Sequence, residues 1–418
     1  MRKLTATAST LAIAGLLLSG CAGGGPGGSD SEEFSDGKIV IGALGDQSGA
    51  LSALDGVNSV KAIEMAVADF RKNHGDEAMA ENIEVIDADH KNDPAIANTL
   101  ARRMYEREAV DIIIGMPNSA ALLAVSKLAL EKDRMVIGIP TGSTAFAEGD
   151  CNRATYLWTY NTAVMANSIG SYLTDQGMEN WYILYADYAY GQDYAARLQA
   201  KIEEIGGNVV GTAAAPFPND DFSAFMLKIR NTTPKPDVIS LIESGTDLTN
   251  AVNAYREFGL AEQGIALTVG ALFLTDIDSV GPEAVEGSIQ ATPWYWNMDD
   301  EARTWSDKYM EFSGVEDRPT FAQAGSYSAT TQYLEAALRA GSDSADAVRG
   351  ELDGYEFSDA FARNAEVRAA DHTITKDMIL VQVKSTTNIT EDQDYLKVLE
   401  TLPAADVWPA PSDKCVMD

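Results

Sequence analysis

At 418 residues the chain exceeds what one ordinary hydrophobic core organises, so two lobes are expected. Hydrophobic residues at 45% and charged residues at 22% are the mix of a globular protein, and beyond the first twenty residues no uncharged apolar run is long enough to need a second membrane span. A formal net charge of -32 excludes nucleic acid, whose phosphates need Lys/Arg neutralisation, and electrostatic adhesion to anionic lipid headgroups; such acidity is a solubility or salt-adaptation trait and does not name a ligand.

The N-terminus reads as an address. Arg2 and Lys3 precede an apolar stretch from Leu4 to Leu18 that is too short to span a bilayer comfortably, the pattern of an export signal over residues 1–20. Leu18-Ser19-Gly20-Cys21 resembles the lipobox of bacterial lipoproteins, which implies cleavage before Cys21 and a diacylglycerol on its sulfur. An ordinary secretory signal with a chance cysteine is the alternative. One acyl chain holds weakly and two hold well, so a lipoprotein is expected to stay in the cell envelope, on the outer side of the membrane it crossed. Residues 22–36 are Gly-rich, then acidic, and have no apolar face; residues 21–37 are expected to form a lipid-anchored flexible linker.

The rest alternates strand and helix. Residues 38–44 form a buried-strand run, followed by helical spacing over Ser59–Phe70, a strand at 83–88, and a helix opened by Asp93 as N-cap with Pro94 at its first position. Strands at 111–115 and 135–139 flank a helix over 119–130. The rhythm restarts after Tyr160: a strand at 181–185, a helix over 193–205 stopped by Gly206-Gly207, and a strand from Val209. A helix at 222–230, a strand at 237–242 and a helix at 247–258 follow. Two successive βα arrays predict an α/β protein with two doubly wound parallel-sheet lobes.

In such sheets ligands bind beyond the C-terminal strand ends. There the sequence places Gly45-Asp46-Gln47-Ser48-Gly49, Gly115-Met116-Pro117-Asn118-Ser119 and Pro140-Thr141-Gly142-Ser143-Thr144. These loops offer hydroxyls and backbone N–H groups, two of them leading into helices whose N-termini favour a carboxylate. Plain turns and N-caps are the competing reading for each. No G-x-S-x-G, GxxxxGK[ST], HExxH or CxxC occurs, so no catalytic residue is assigned and a binding protein rather than an enzyme is expected, without cofactor. His74, His90 and His372 lack ligand spacing, so no metal site is expected. With Cys21 committed to lipid, Cys151 and Cys415 remain as an even pair in an oxidising compartment, and a disulfide is expected, two unpaired buried thiols being the alternative.

These loops, Asp87 through Asp93-Pro94, and Tyr188-Ala189-Tyr190-Gly191 resemble the type I periplasmic binding proteins of the leucine/isoleucine/valine-binding kind, over nearly the whole mature chain. The stretches Trp158-Thr159-Tyr160-Asn161-Thr162, Trp294-Tyr295-Trp296 and Ser412-Asp413-Lys414-Cys415 are similar to a subgroup labelled branched-chain amino acid ABC transporter substrate-binding proteins. The resemblance implies that Asn118, Ser119, Gly142, Ser143 and Thr144 clasp a ligand carboxylate while Tyr190 and Ser244 close over it from the second lobe. The family carries an acid near Gly270 for the ligand ammonium; here Val269-Gly270-Ala271-Leu272-Phe273 has none, and Glu243 is the nearby substitute. Trp158, Tyr160, Phe273, Trp294 and Trp296 fall where the chain should cross between lobes, either as aromatic walls for an apolar carboxylate or as packing within the crossings.

The function implied is binding without turnover: a monomer whose lobes, 38–157 plus 291–376 and 158–290 plus 377–400, close over a branched-chain amino acid or a related small carboxylate or amide. The tail, 401–418, is expected to return to Cys151 through Cys415. In the family the closed form is read by the permease subunits of an ABC importer, so the expected partners are a small solute, that permease and the membrane by way of the anchor. Aromatic or apolar carboxylates lacking an amino group, a ligand sensor of the same fold, and a secreted hydrolase are the alternatives.

Overall fold

The computed structural model describes residues 34–417. The export signal, Cys21 and all but the end of the linker lie outside the described residues. Within the expected linker Ser35 is already fastened, its backbone N–H donating to the Asp343 carboxylate at 3.0 and 3.1 Å. Among the described residues no helix is long and apolar enough to cross a membrane.

Among the described residues fifteen strands are distributed over two sheets. They are β1 (Ile39–Gly45), β2 (Ile83–Asp89), β3 (Ile112–Gly115), β4 (Met135–Gly138), β5 (Thr155–Leu157), β6 (Asn180–Ala186), β7 (Asn208–Ala215) and β8 (Val238–Ile242). Then follow β9 (Ala266–Val269), β10 (Ile289–Thr292), β11 (Glu356–Phe357), β12 (Ala365–Arg368), β13 (Thr373–Thr375), β14 (Met378–Val383) and β15 (Leu396–Leu402). One sheet has the order β11-β12-β13-β5-β4-β3-β1-β2 and the other β15-β14-β10-β9-β8-β6-β7. Every residue of β1 is buried because helices cover both faces, which is why its sequence is a continuous apolar run rather than an alternation. β1 runs parallel to β2 and β3, and β6 parallel to β7 and β8, so each sheet changes winding direction beside its first strand. Crevices open at such points. The loops after β1, β3, β6 and β8 therefore face the groove at that point of each sheet. The two expected α/β lobes are present.

The helix expected from Asp193 instead spans Ala189–Glu204. Asp193 is not its cap; its carboxylate is used by the other lobe, as described below. The earlier start brings Gly191 against the end of β6, where an added Cβ would sit 2.1 Å from the Ala186 carbonyl oxygen. No side chain fits there.

The chain passes between the sheets after β5, after β10 and after β13. The tryptophans of these crossings are anchored in protein: the indole N–H of Trp158 donates to the Ser328 hydroxyl, that of Trp294 to the Ala360 carbonyl, and that of Trp296 to the Gln393 carbonyl. They hold the crossings together. Lys376, fully buried between two crossings, donates to the Pro293 carbonyl and lies over the Phe361 ring.

Cys151 and Cys415 form a disulfide with Cα atoms 5.4 Å apart, across 264 residues of sequence. The tail it secures also carries Trp408, whose indole N–H donates to the Lys376 carbonyl. Chain-entropy reasoning for so long a loop allows up to about 5 kcal/mol. Reduction or the double substitution Cys151→Ser/Cys415→Ser is expected to lower the melting temperature by several degrees, and non-reducing peptide mapping should show one linked pair; free-thiol labelling of both cysteines in the untreated protein would contradict the bond.

Candidate functional site

A cavity of about 720 Å³, open solvent at its mouth included, is lined from both sheets. On the first-sheet side the loop after β1 is folded by one carboxylate: Asp46 accepts from the backbone N–H groups of Gly49 at 2.6 Å and Leu51 at 2.8 Å. That fold brings Ala50, Leu51, Ala53 and Leu54 to the cavity wall. Beneath it Asp55 accepts from the Asp46 N–H, and burial pushes its carboxyl up to about 7.

Asn118 caps the helix Ser119–Lys132, its side-chain oxygen accepting from Ala120 and Ala121 while its amide donates to the Asn92 side chain at 2.6 Å. Asn118 thus aims the helix start, and Ser119 presents the helix N-terminus to the cavity, where the partial positive charge favours an anion. Gly142 adjoins it. An added Cβ at Gly142 would come within 2.8 Å of the Tyr160 ring, so glycine is what lets this loop lie on the aromatic floor.

The second-sheet wall comes from the loops after β6, β8 and β9: Tyr188, Tyr190, Ser244, Gly245, Ala271, Phe273, Thr275 and Asp276, with Phe217 behind. Tyr188 stacks on Phe217 at 4.7 Å, and the buried Tyr190 hydroxyl has no partner among the described residues. Asp276 was not anticipated from sequence. Its Oδ2 accepts from the Phe273 N–H at 3.0 Å, capping the short helix Leu274–Val280, while the residue lines the cavity and burial pushes its carboxyl up to about 7. An acid three residues beyond Phe273, at the third helical position, was the available signal.

Of the expected ligand residues, Asn118, Ser119, Gly142, Tyr190, Ser244 and Phe273 line this cavity. Ser48, Ser143, Thr144 and Glu243 do not. The Ser48 hydroxyl donates to Asp89 at 2.5 Å, and the Ser143 hydroxyl accepts from the Ala145 N–H to start a turn. Glu243 is fully buried, and neither carboxyl oxygen has a partner among the described residues. Burial, reinforced by Asp247, pushes it up to about 8, and it lies outside the cavity lining, away from where the substitute role for an ammonium would need it. Of the five crossing aromatics, Tyr160 and Phe273 are cavity walls, and the tryptophans are packing.

Thr144 works elsewhere. Its N–H and hydroxyl donate to the Asp193 carboxylate at 3.0 and 2.8 Å, Thr162 also donates to Asp193, and Arg197 pairs with Asp193 and with Glu148. This set joins the loop after β4 to the helix after β6, so it bridges the two lobes outside the cavity. Asp193→Ala is expected to weaken solute binding about tenfold, read by calorimetry, with little change in the unliganded melting temperature; unaltered affinity would dismiss the bridge as a surface ornament.

Among the described residues no group of three or more His, Cys, Asp and Glu could hold a metal ion. What the cavity can do is bind a small molecule with an anionic end toward Ser119 and Gly142, a cationic end toward Asp276, and an apolar body against aromatic rings.

Comparison with known proteins agrees with the fold. A periplasmic binding protein from Burkholderia mallei is 32% identical, with a TM-score of 0.83 over 90% of this chain and 97% of that one. A branched chain amino acid ABC transporter periplasmic ligand-binding protein from Burkholderia xenovorans is 26% identical, with a TM-score of 0.81 over 90% of this chain and 99% of that one. The Leu/Ile/Val-binding protein homolog 6 of Brucella melitensis is 26% identical over 231 residues, 55% of this chain and 57% of that protein, so the chain spans little more than half the length of the curated relatives it matches. Residues 38–388, most of the chain and every strand but β15, match the periplasmic binding protein family, to which this chain belongs.

Proposed function

We propose that the chain is the exported, lipid-anchored receptor of an ABC importer and that it binds a small apolar α-amino acid of the branched-chain kind. One observation carries the reading: Ser119 and Gly142 on one wall and Asp276 on the other are spaced around an apolar, aromatic interior, a charge pattern that matches a zwitterion with a hydrocarbon side chain. The names of the Burkholderia xenovorans and Brucella relatives support it. The ligand shell comprises Asn118, Ser119, Gly142, Tyr160, Tyr188, Tyr190, Ser244, Phe273 and Asp276. The moving bodies are residues 38–157 with 291–376 and residues 158–290 with 377–400, and the closed form is what the permease reads. Binding occurs without turnover, as membership of a binding-protein family supports.

A second reading, an aromatic or apolar carboxylate without an amino group, is favoured by the ring-lined walls and by the tendency of Asp276 to be neutral. The two readings differ in sign. An ammonium-bearing solute needs Asp276 ionised, so its affinity should climb as pH rises toward 7 and level off above; a simple carboxylate should bind no better, or worse, over the same range. A thermal-shift screen of leucine, isoleucine, valine, benzoate and phenylacetate, followed by calorimetry at several pH values, tests this. No stabilisation by any of the three amino acids would end the amino-acid reading.

The anchor is part of the proposal. Cys21→Ser is expected to release the protein from the membrane fraction and abolish labelling by radioactive palmitate; unchanged fractionation with no label in the wild type would leave an ordinary secretory signal.

A further inference from the structure

Adjoining the solute cavity is a second, partly open apolar pocket, about 280 Å³ with the solvent at its mouth included, lined by Leu272, Phe273, Trp294, Tyr295, Phe321 and Leu396 among others. Phe273 belongs to both linings. Its ring centroid is 5.0 Å from that of Phe321, which in turn meets Tyr160 edge-on at 5.5 Å, so one aromatic layer separates the two spaces. The backbone N–H of the same residue holds Asp276. The proposed cation-binding oxygen and the apolar end wall are therefore fixed to each other through three residues of chain, and the distance from a solute's charged end to that wall is set locally.

We propose that Phe273 is the specificity-determining partition of the solute site: its ring limits the apolar part of the solute to branched-chain length, and the chamber behind it is an extension subsite that accepts a longer aryl or alkyl end once the ring is reduced. The solute class rests on the amino-acid reading above; the partition itself rests on the two cavities sharing one side chain. The second chamber is lined mainly by apolar and aromatic side chains, so filling it gains hydrophobic burial. One methylene in an apolar pocket discriminates by about tenfold or more, and the partition stands against several.

The experiment measures binding of L-leucine, L-phenylalanine and L-homophenylalanine by calorimetry to the full mature chain and to its Phe273→Ala and Phe273→Leu variants. Wild type is expected to prefer leucine to homophenylalanine, and Phe273→Ala to shift that ratio toward homophenylalanine by about thirtyfold or more, with Phe273→Leu between them. A ratio unchanged in a variant that retains a cooperative melt overturns the proposal. If wild type binds no amino acid, the solute reading has failed, and the partition is judged on the series benzoate, phenylacetate and 4-phenylbutanoate and on xenon-pressurised crystals. Xenon on both sides of the Phe273 ring in wild type, merging into one site in Phe273→Ala, upholds the partition. A rear chamber that takes no xenon in either protein refutes it.

Discussion

Asp276→Asn is expected to lower affinity for leucine about a hundredfold, the effect of leaving a desolvated ammonium with a neutral partner. Asparagine keeps the side-chain oxygen that accepts from the Phe273 N–H, so the short helix it caps should persist and the empty protein should melt no lower than wild type. The pH profile gives a readout that a structural defect does not imitate. In the wild type Asp276 is pushed up to about 7 by burial, and an ammonium binds to its ionised form, so solute binding releases a proton. Affinity should rise by up to tenfold per pH unit on the acidic side and flatten above about 7. The variant should show a flat profile over the same range. A pH slope that survives the substitution would place the ammonium against some other group.

Glu243 governs the second large effect, on stability. Its carboxyl is fully enclosed, without a partner among the described residues, and its value in the folded state is about 8 against an ordinary 4.5. The group binds its proton more tightly when folded, so its contribution is fully present below about 4.5 and is lost as pH rises through 8. Summed over that window the loss is on the order of 5 kcal/mol. Asp55 and Asp276, each pushed up to about 7 by burial, act in the same direction. Lys376 acts in the opposite direction at higher pH: burial lowers it to about 7, so the strain of holding its charge is present below that value and relieved as pH rises toward its ordinary 10.5. The clean measurement is a difference. Glu243→Gln should melt at a temperature less dependent on pH than wild type, with the wild-type deficit growing between pH 5 and 8.5. Parallel melting curves for the two proteins would mean that water or a bound cation satisfies the carboxyl.

Much of the architecture was legible because parallel strands covered on both faces need long apolar runs, and Ile39–Leu44, Ile112–Ile114 and Val238–Ile242 are such runs. Helix starts were legible where the cap is local, as at Asp93-Pro94 and Asn118. The start of the helix expected from Asp193 was placed too late, and the role of Asp193 was not legible because its partners, Thr144 and Thr162, lie tens of residues away in sequence. The cavity loops could be assigned because the winding rule fixes which strand ends meet. Which hydroxyl in a loop turns inward is a matter of competing partners. Ser48 is drawn off by Asp89 and Ser143 by its own turn, whereas Ser119 sits at a helix start already aimed by Asn118. Asp276 lies six residues beyond Gly270, near which an acid was sought, and the fold of the intervening loop, not its sequence distance, puts it on the wall.

The bridge of Thr144, Asp193, Arg197 and Glu148 is made of the protein's own side chains and touches no cargo. On the lobe closure proposed above, it would favour the shut shape by the same factor whichever passenger is aboard, and also when none is. Residence time would thereby be lengthened for all passengers alike, while choosing among them would be left to the walls of the chamber. A receptor built this way trades some silence when empty for a firmer hold on scarce cargo.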